Sequence, residues 1–204
     1  MPSSKNCYQF KITLQHIDPP IWRRIKVPED YTFWDLHVAI QDAMGWCDCH
    51  LHAFRIGKGR GERTEIGVPA SGFDDAEVLP GWEIPIRDYC KSLDTSFSYL
   101  YDFGDGWEHA VVLEDVSAQK HGIKYPICVD GERACPPEDC GGIPGYIHLL
   151  EVLDDKSNSE YASMVDWLET HIINYFPYDS SKFKSKAVRF DNPRTRWKLA
   201  FGDK

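Results

Sequence analysis

The sequence predicts an α+β fold: a single domain over 1–204 with a large mixed, mainly antiparallel sheet packed by helices, its C-terminal part helical. Three observations lead there. Up to Leu113, apolar and polar residues alternate in short runs, the period that buries one face of a strand. Beyond Pro144 the apolar spacing changes to threes and fours, which draws a stripe along a helix. Strands gathered ahead of helices favour segregated layers over repeating β-α units. A chain of 204 residues hides roughly 70% of its unfolded surface, enough for a sizeable core.

The elements follow in order. Tyr8, Phe10, Ile12 and Leu14 point one way and Gln9, Lys11, Thr13 and Gln15 the other, a half-buried strand that Asp18-Pro19-Pro20 breaks. Ile21–Val27 is a second strand, with Arg23 on the same face as Ile21, Ile25 and Val27. Thr32 suits a helix N-cap, with Asp35 at the reciprocal position. Phe33, Leu36, Ala39, Ile40, Ala43 and Met44 form the helical stripe, and Gly45 ends a helix over 33–44. Leu51–Ile56 returns to strand, and Gly57, Gly59 and Gly61 form a hairpin loop into Arg63–Val68. That glycine run lacks the third spaced glycine and the helix of a dinucleotide fingerprint. Residues 69–85 read as surface loop.

Phe97–Phe103 and Trp107–Leu113 alternate around Gly104-Asp105-Gly106, a tight-hairpin signal. Residues 125–144 read as a loop rich in proline and glycine. Pro144 then suits the first position of a helix carrying Tyr146, Ile147, Leu150 and Leu153. Asn158 or Ser159 caps another, with Tyr161, Met164, Val165, Leu168 and Ile172, and Asn192-Pro193 opens a short last helix through Trp197 and Phe201.

Charge narrows the function classes. A formal net charge of −9 argues against a protein coated for nucleic acid. The basic residues Lys182, Lys184, Lys186, Arg189, Arg194, Arg196, Lys198 and Lys204 nevertheless crowd the C-terminal segment, where the acids are Asp191 and Asp203. Such a segment docks on the acidic body of its own protein or meets nucleic acid or an acidic partner. No apolar run approaches the roughly 20 residues of a membrane helix, and MPSSKNCYQF lacks a signal-peptide apolar region. The expectation is a cytoplasmic protein without a membrane partner.

There are seven cysteines, an odd number without an export signal, so free thiols are expected. Cys7 and Cys90 read as small buried hydrophobes. Cys128, Cys135 and Cys140, spaced C-x6-C-x4-C, offer three soft ligands for zinc, with His109, Cys49, His50 or His52 as the fourth. The run Cys47-x-Cys49-His50-x-His52 puts two histidines on one strand face, a second metal candidate. In both clusters plain packing is the alternative.

Asp102, Asp105, Glu108 and His109 around the hairpin combine carboxylates with an imidazole, as acid–base work or a hydrolytic metal requires, although Asp-Gly also suits a tight turn. Tyr99, Tyr101, Phe103 and Trp107 form either core or, if exposed, a stacking surface. Arg133 pairs with Glu138 or Asp139, or recognises an anion beside the helix start near Pro144. G-x-S-x-G, P-loop and HExxH motifs are lacking, so no catalytic motif is assembled in the sequence.

Three stretches, IDPPIWRRIKVPEDYTFWDLHVAIQDAMGW with HLHAF, FSYLYDFGDGWEHAVVLE, and YPICVDGERACPPEDCGGIPGY, together resemble the plasmid Ri-type open-reading-frame-three-like family. These are prokaryotic proteins also filed as mobile-element passengers of "TnpR" type. The resemblance runs over nearly the whole chain, to the tail FDNPRTRWKLAF, and implies one α+β domain with a large mixed sheet. It implies ordinary polar residues at 47 and 49, where this chain has cysteines. The functional expectation is a mobile-element-associated binding or accessory module. The alternatives are a zinc-dependent hydrolase and a non-catalytic domain with a structural zinc.

Overall fold

The computed structural model describes residues 5–57, 63–69 and 78–202. Strands β1 (Asn6–Leu14), β2 (Trp22–Pro28), β3 (His52–Ile56), β4 (Thr64–Gly67), β5 (Val78–Pro80), β6 (Ser96–Tyr101), β7 (Trp107–Ala118) and β8 (Ile127–Glu132) share one sheet. The helices are α1 (Phe33–Met44), α2 (Gly142–Asp154), α3 (Tyr161–Thr170) and α4 (Pro193–Phe201). Among the described residues the sheet has eight strands in the order β5-β4-β3-β6-β7-β1-β2-β8. Every pairing is antiparallel except β4 with β5, so the sheet is mixed and mainly antiparallel.

The alternation in the sequence is the division between the two faces. Tyr8, Phe10, Ile12 and Leu14 are buried under α1, where Phe33 meets Phe54 at 5.0 Å and Phe97 at 5.6 Å between ring centroids. The opposite face carries polar pairs across strands, such as Arg24 Nε to Glu114 Oε2 at 2.6 Å and Lys26 Nζ to Asp115 Oδ2 at 3.4 Å. Arg23 is 1% exposed on the apolar face. Its guanidinium donates to Ala43 O (2.8 Å), Trp22 O (2.8 Å) and Glu132 O (3.0 Å) and lies 3.8 Å from the Phe183 ring centroid. A buried cation is tolerable only with such partners, and the α1 C-terminus offers the negative end of the helix dipole.

α1 forms as its caps dictate. Thr32 Oγ1 accepts from Asp35 N, Asp35 returns the bond to Thr32 N, and Gly45 ends the helix at φ 99°. Asn192 caps α4 through Arg194 N, with Pro193 at the helix start. Two other readings need correction. The 125–144 segment is not all loop: Ile127–Glu132 pairs with β2, because Ile127 and Cys128 add a rung beside Lys26 and Ile25. The 69–85 segment supplies β5, and Gly81 N bonds back to Gly67 O. The starts of α2 and α3 also differ. Gly141 and Glu160 are their N-caps, so Pro144 is the third helical residue of α2, and Asn158 Oδ1 accepts from Glu160 N just ahead of α3. The glycine loop at 58–62, most of 69–77 and Lys204 lie outside the described residues.

Candidate functional site

Two loops build the site. The first leaves α1 at Gly45 and runs to β3. Trp46 anchors it, stacking on Tyr101 at 5.0 Å and donating from Nε1 to Pro136 O at 3.0 Å. Asp48 adopts φ 59° and sends its carboxylate inward, to His37 Nε2 at 2.7 Å and Arg196 at 3.3 Å. The flanking Cys47 and Cys49 reach the second loop, which joins β8 to α2. There Glu138, 0% exposed, accepts from Cys47 N (2.7 Å) and the Tyr101 hydroxyl (3.0 Å), while its own N–H donates to Tyr175 Oη (3.1 Å).

One ligand atom each from Cys47, Cys49 and Glu138 lie within 4.8 Å of one another, and so do those of Cys49, His50 and Asp139. The two groups share Cys49. His50 Nε2 stands 2.9 Å from Asp139 Oδ1 and 3.6 Å from Asp102 Oδ2, and His171 Nε2 lies 3.9 Å from Asp139 Oδ2. Burial, with Glu138 beside it, pushes the Cys47 thiol up to about 12. Burial raises the Cys49 thiol too, with Glu138 adding to it. Burial also lifts the Glu138 carboxyl, against hydrogen bonds from Cys47 and Tyr101 that favour its charged form. Groups that become anions are thus packed where their charges are disfavoured, and a bound divalent cation reverses that balance. Asp139 also lines a cleft of about 270 Å³ between α2 and α3, floored by Leu149, Met164 and Trp167.

The remaining candidates are distributed differently. Among the described residues, neither close group includes Cys128, Cys135 or Cys140. The β8 ladder holds Cys128 opposite Ile25, with its thiol donating to Asp130 O at 3.5 Å, and Cys140 lines the cleft. His50 and His52 do not share a strand face, because β3 begins only at His52. His52 is buried with its ring stacked on His37 at 3.5 Å and 7°. Burial, with His37 alongside, drives His52 well below the ordinary imidazole value. His109 is buried beside Tyr99 O, and burial lowers it to about 4.

Neighbouring positions on a strand face opposite ways, so Glu108 meets His16 across the solvent face while His109 enters the core. Asp102 closes the hairpin by accepting from Gly104 N, and Asp105 accepts from Gly141 N at the start of α2. Tyr99, Tyr101 and Trp107 are core at 0% exposure, which corrects the binding-surface reading; Phe103 alone of that set is exposed. Arg133 bonds Ser180 Oγ at 3.2 Å rather than Glu138 or Asp139.

In the basic segment, Arg196 pairs with Asp42 (2.7 Å), Asp48 (3.3 Å) and Asp191 (2.6 Å), docking on the protein's own acids. Lys182 pairs with Asp179 and Arg189 donates to backbone carbonyls, while Lys184, Lys186, Arg194 and Lys198 lie exposed. Sequence reasoning missed His171, Tyr175 and the inward role of Asp48. For the first two no local pattern signals a place near residue 138. For Asp48 the alternation Cys-Asp-Cys was the available signal.

The segment holding this site is a recognisable one: residues 6–187 match the model of the plasmid pRiA4b ORF-3-like protein family. The chain belongs to that family. All residues of the two-loop site fall inside the matched span, and α4 lies beyond it. A family relative, uncharacterized protein y4hQ of Sinorhizobium fredii (strain NBRC 101917 / NGR234), is 33% identical over 182 residues, covering 89% of this chain and 86% of that protein. The crystal structure of MM3350, a protein of unknown function from Methanosarcina mazei Go1, is similar at 39% identity and TM-score 0.79, over 92% of this chain and 100% of that one. The large mixed sheet with C-terminal helices is therefore a shared family fold. Among the described residues no helix is long and apolar enough to cross a membrane.

Proposed function

We propose that this chain is a zinc-stabilised binding module, an accessory protein of mobile elements whose metal clamps the loop after α1 to the loop before α2. One observation carries the reading: Cys47, Cys49, His50, Glu138 and Asp139, from two loops distant in sequence, bring their ligand atoms together in two overlapping groups. Two thiolates, an imidazole and a carboxylate suit zinc, which takes four such donors at about 2.0–2.3 Å. Each group brings three donors together, and a shift of the loops that adds a fourth from the other group closes the tetrahedron, so that the ion's task is to hold the loops. The partner is a protein. The net charge of −9 and the use of Arg196 and Lys182 in ion pairs within the chain weaken a phosphate-binding role. A zinc hydrolase is the second reading, favoured by the shared position of Asp139 on the site and on the cleft.

The test is metal content and X-ray absorption on protein purified without chelator or nickel. The expected result is about one zinc per chain with two sulfur ligands and no water bound to the ion. Absence of zinc, with none taken up on titration, overturns the reading. A zinc-bound water together with turnover of ester or phosphoester substrates moves the protein to the hydrolase class.

A further inference from the structure

The residue between the two thiols connects the site to the far end of the chain. Asp48 is a non-glycine residue at φ 59°, a backbone region that persists only where surroundings enforce it. Its side chain is 7% exposed, and each oxygen has one partner: His37 Nε2 at 2.7 Å on Oδ1 and the Arg196 guanidinium at 3.3 Å on Oδ2. Turning Asp48 inward is what leaves Cys47 and Cys49, on either side of it, to reach Glu138.

Arg196 comes from α4, and the same guanidinium grips Asp42 of α1 at 2.7 Å. α4 itself has no buried residue. It lies on the surface of α1 and the Trp82 turn, with Trp34 Nε1 donating to Pro193 O at 3.1 Å, Trp197 and Phe201 against Trp34 (5.2 and 5.6 Å) and Trp82 (4.5 and 6.3 Å), and Arg196 on Asp42. A helix so held exchanges between docked and released states more readily than a core helix. Release withdraws the cation from Asp48 and leaves that carboxylate beside Asp42 without its charge partner.

We propose that Arg196 is a positioning residue for the metal site: through Asp48 it sets the Cys47–Cys49 turn, so that docking of the C-terminal helix and zinc binding strengthen each other. This rests on the zinc reading of the site. Coupling of this kind is reciprocal: whatever α4 docking adds to zinc affinity, zinc adds to the docking of α4.

The experiment uses the full chain. Zinc affinity is measured by competition with a chromophoric chelator, and release of the C-terminal segment by limited proteolysis with and without zinc. In the wild type, zinc slows cleavage around α4. Arg196→Gln weakens zinc binding about tenfold, within the usual span of such couplings, and removes the protection. Lys186→Gln, an equal loss of charge from an exposed position in the same basic segment but outside α4, leaves both unchanged. Asp48→Asn keeps the size of the side chain and supplies the test should Arg196→Gln fold poorly; it weakens zinc to a similar extent. The double variant loses no more than either single one, whereas independent structural defects would add.

Zinc affinity within twofold of wild type in both single variants overturns the coupling and leaves the zinc reading standing. A wild-type chain that takes up no zinc overturns both.

Discussion

At the residue scale the site turns on where each side chain's charge is tolerated. Cys49→Ser is expected to abolish stoichiometric zinc, whereas Cys135→Ser, outside both ligand groups, retains it; metal analysis of the two proteins checks this. With free zinc at about a thousandfold over Kd, the wild type gains roughly 4 kcal/mol of stability and Cys49→Ser gains none, read as a zinc-dependent shift in Tm. His109 works in the opposite sense. Burial lowers its folded pKa from 6.5 to about 4, so the unfolded chain takes the proton first. Its contribution is fully present above pH 6.5 and is lost as pH falls toward 4, a range worth about 3 kcal/mol. Buried His52, shifted in the same direction, adds to this loss. His109→Phe removes one titrating group, and its stability falls less steeply between pH 6.5 and 4 in denaturant titrations; an unchanged slope would remove His109 from the account.

At the element scale, α1 is the piece that aims the first loop. Its capping box and its left-handed terminus at Gly45 frame the helix, and the thiols follow within four residues of that terminus. Thr32→Ala removes the acceptor for Asp35 N and is expected to cost about 1 kcal/mol without changing zinc affinity. Gly45→Ala costs a similar amount, since the position requires φ 99°, and it lowers zinc affinity as well because it tilts the exit of the loop. Comparing urea midpoints with zinc titrations separates the two effects. The second loop is tied down at the start of α2, where a Cβ on Gly145 would collide with Cys140 O and one on Gly142 with Asp105 O. Close backbone approach thus accounts for Gly142 and Gly145 in the run CGGIPG.

At the scale of the whole molecule, the basic segment and the acidic body neutralise one another in part through Arg196. Duplex DNA is therefore expected to bind no tighter than the non-specific range of about 10⁻⁴ to 10⁻⁶ M at physiological salt. A submicromolar Kd with a steep salt slope, measured by fluorescence anisotropy, would replace the protein partner with nucleic acid. β8 follows β7 in the chain but lies beyond β1 and β2 at the sheet edge, and the loop that leaves it meets the loop after α1, with Trp46, Cys47 and His50 against Pro136, Glu138 and Asp139.

The period of the apolar residues by itself determined the strands β1, β2, β6 and β7, the helix α1 with both caps, and the split between sheet and helices, because burial of one face imposes that period locally. Part of the donor set was legible too: Cys47, Cys49 and His50 stood out as metal-binding types, whereas Glu138 and Asp139 read only as partners for Arg133. Their grouping was not. Sequence proximity suggested Cys128 with Cys135 and Cys140, and His50 with His52. The tertiary structure instead joined Cys49 to Glu138 and Asp139, and Asp48 to Arg196. Local spacing reports which face of an element a residue occupies, whereas contacts between loops depend on strand order and helix docking. Those are decided by how the complete set of apolar faces packs into one core.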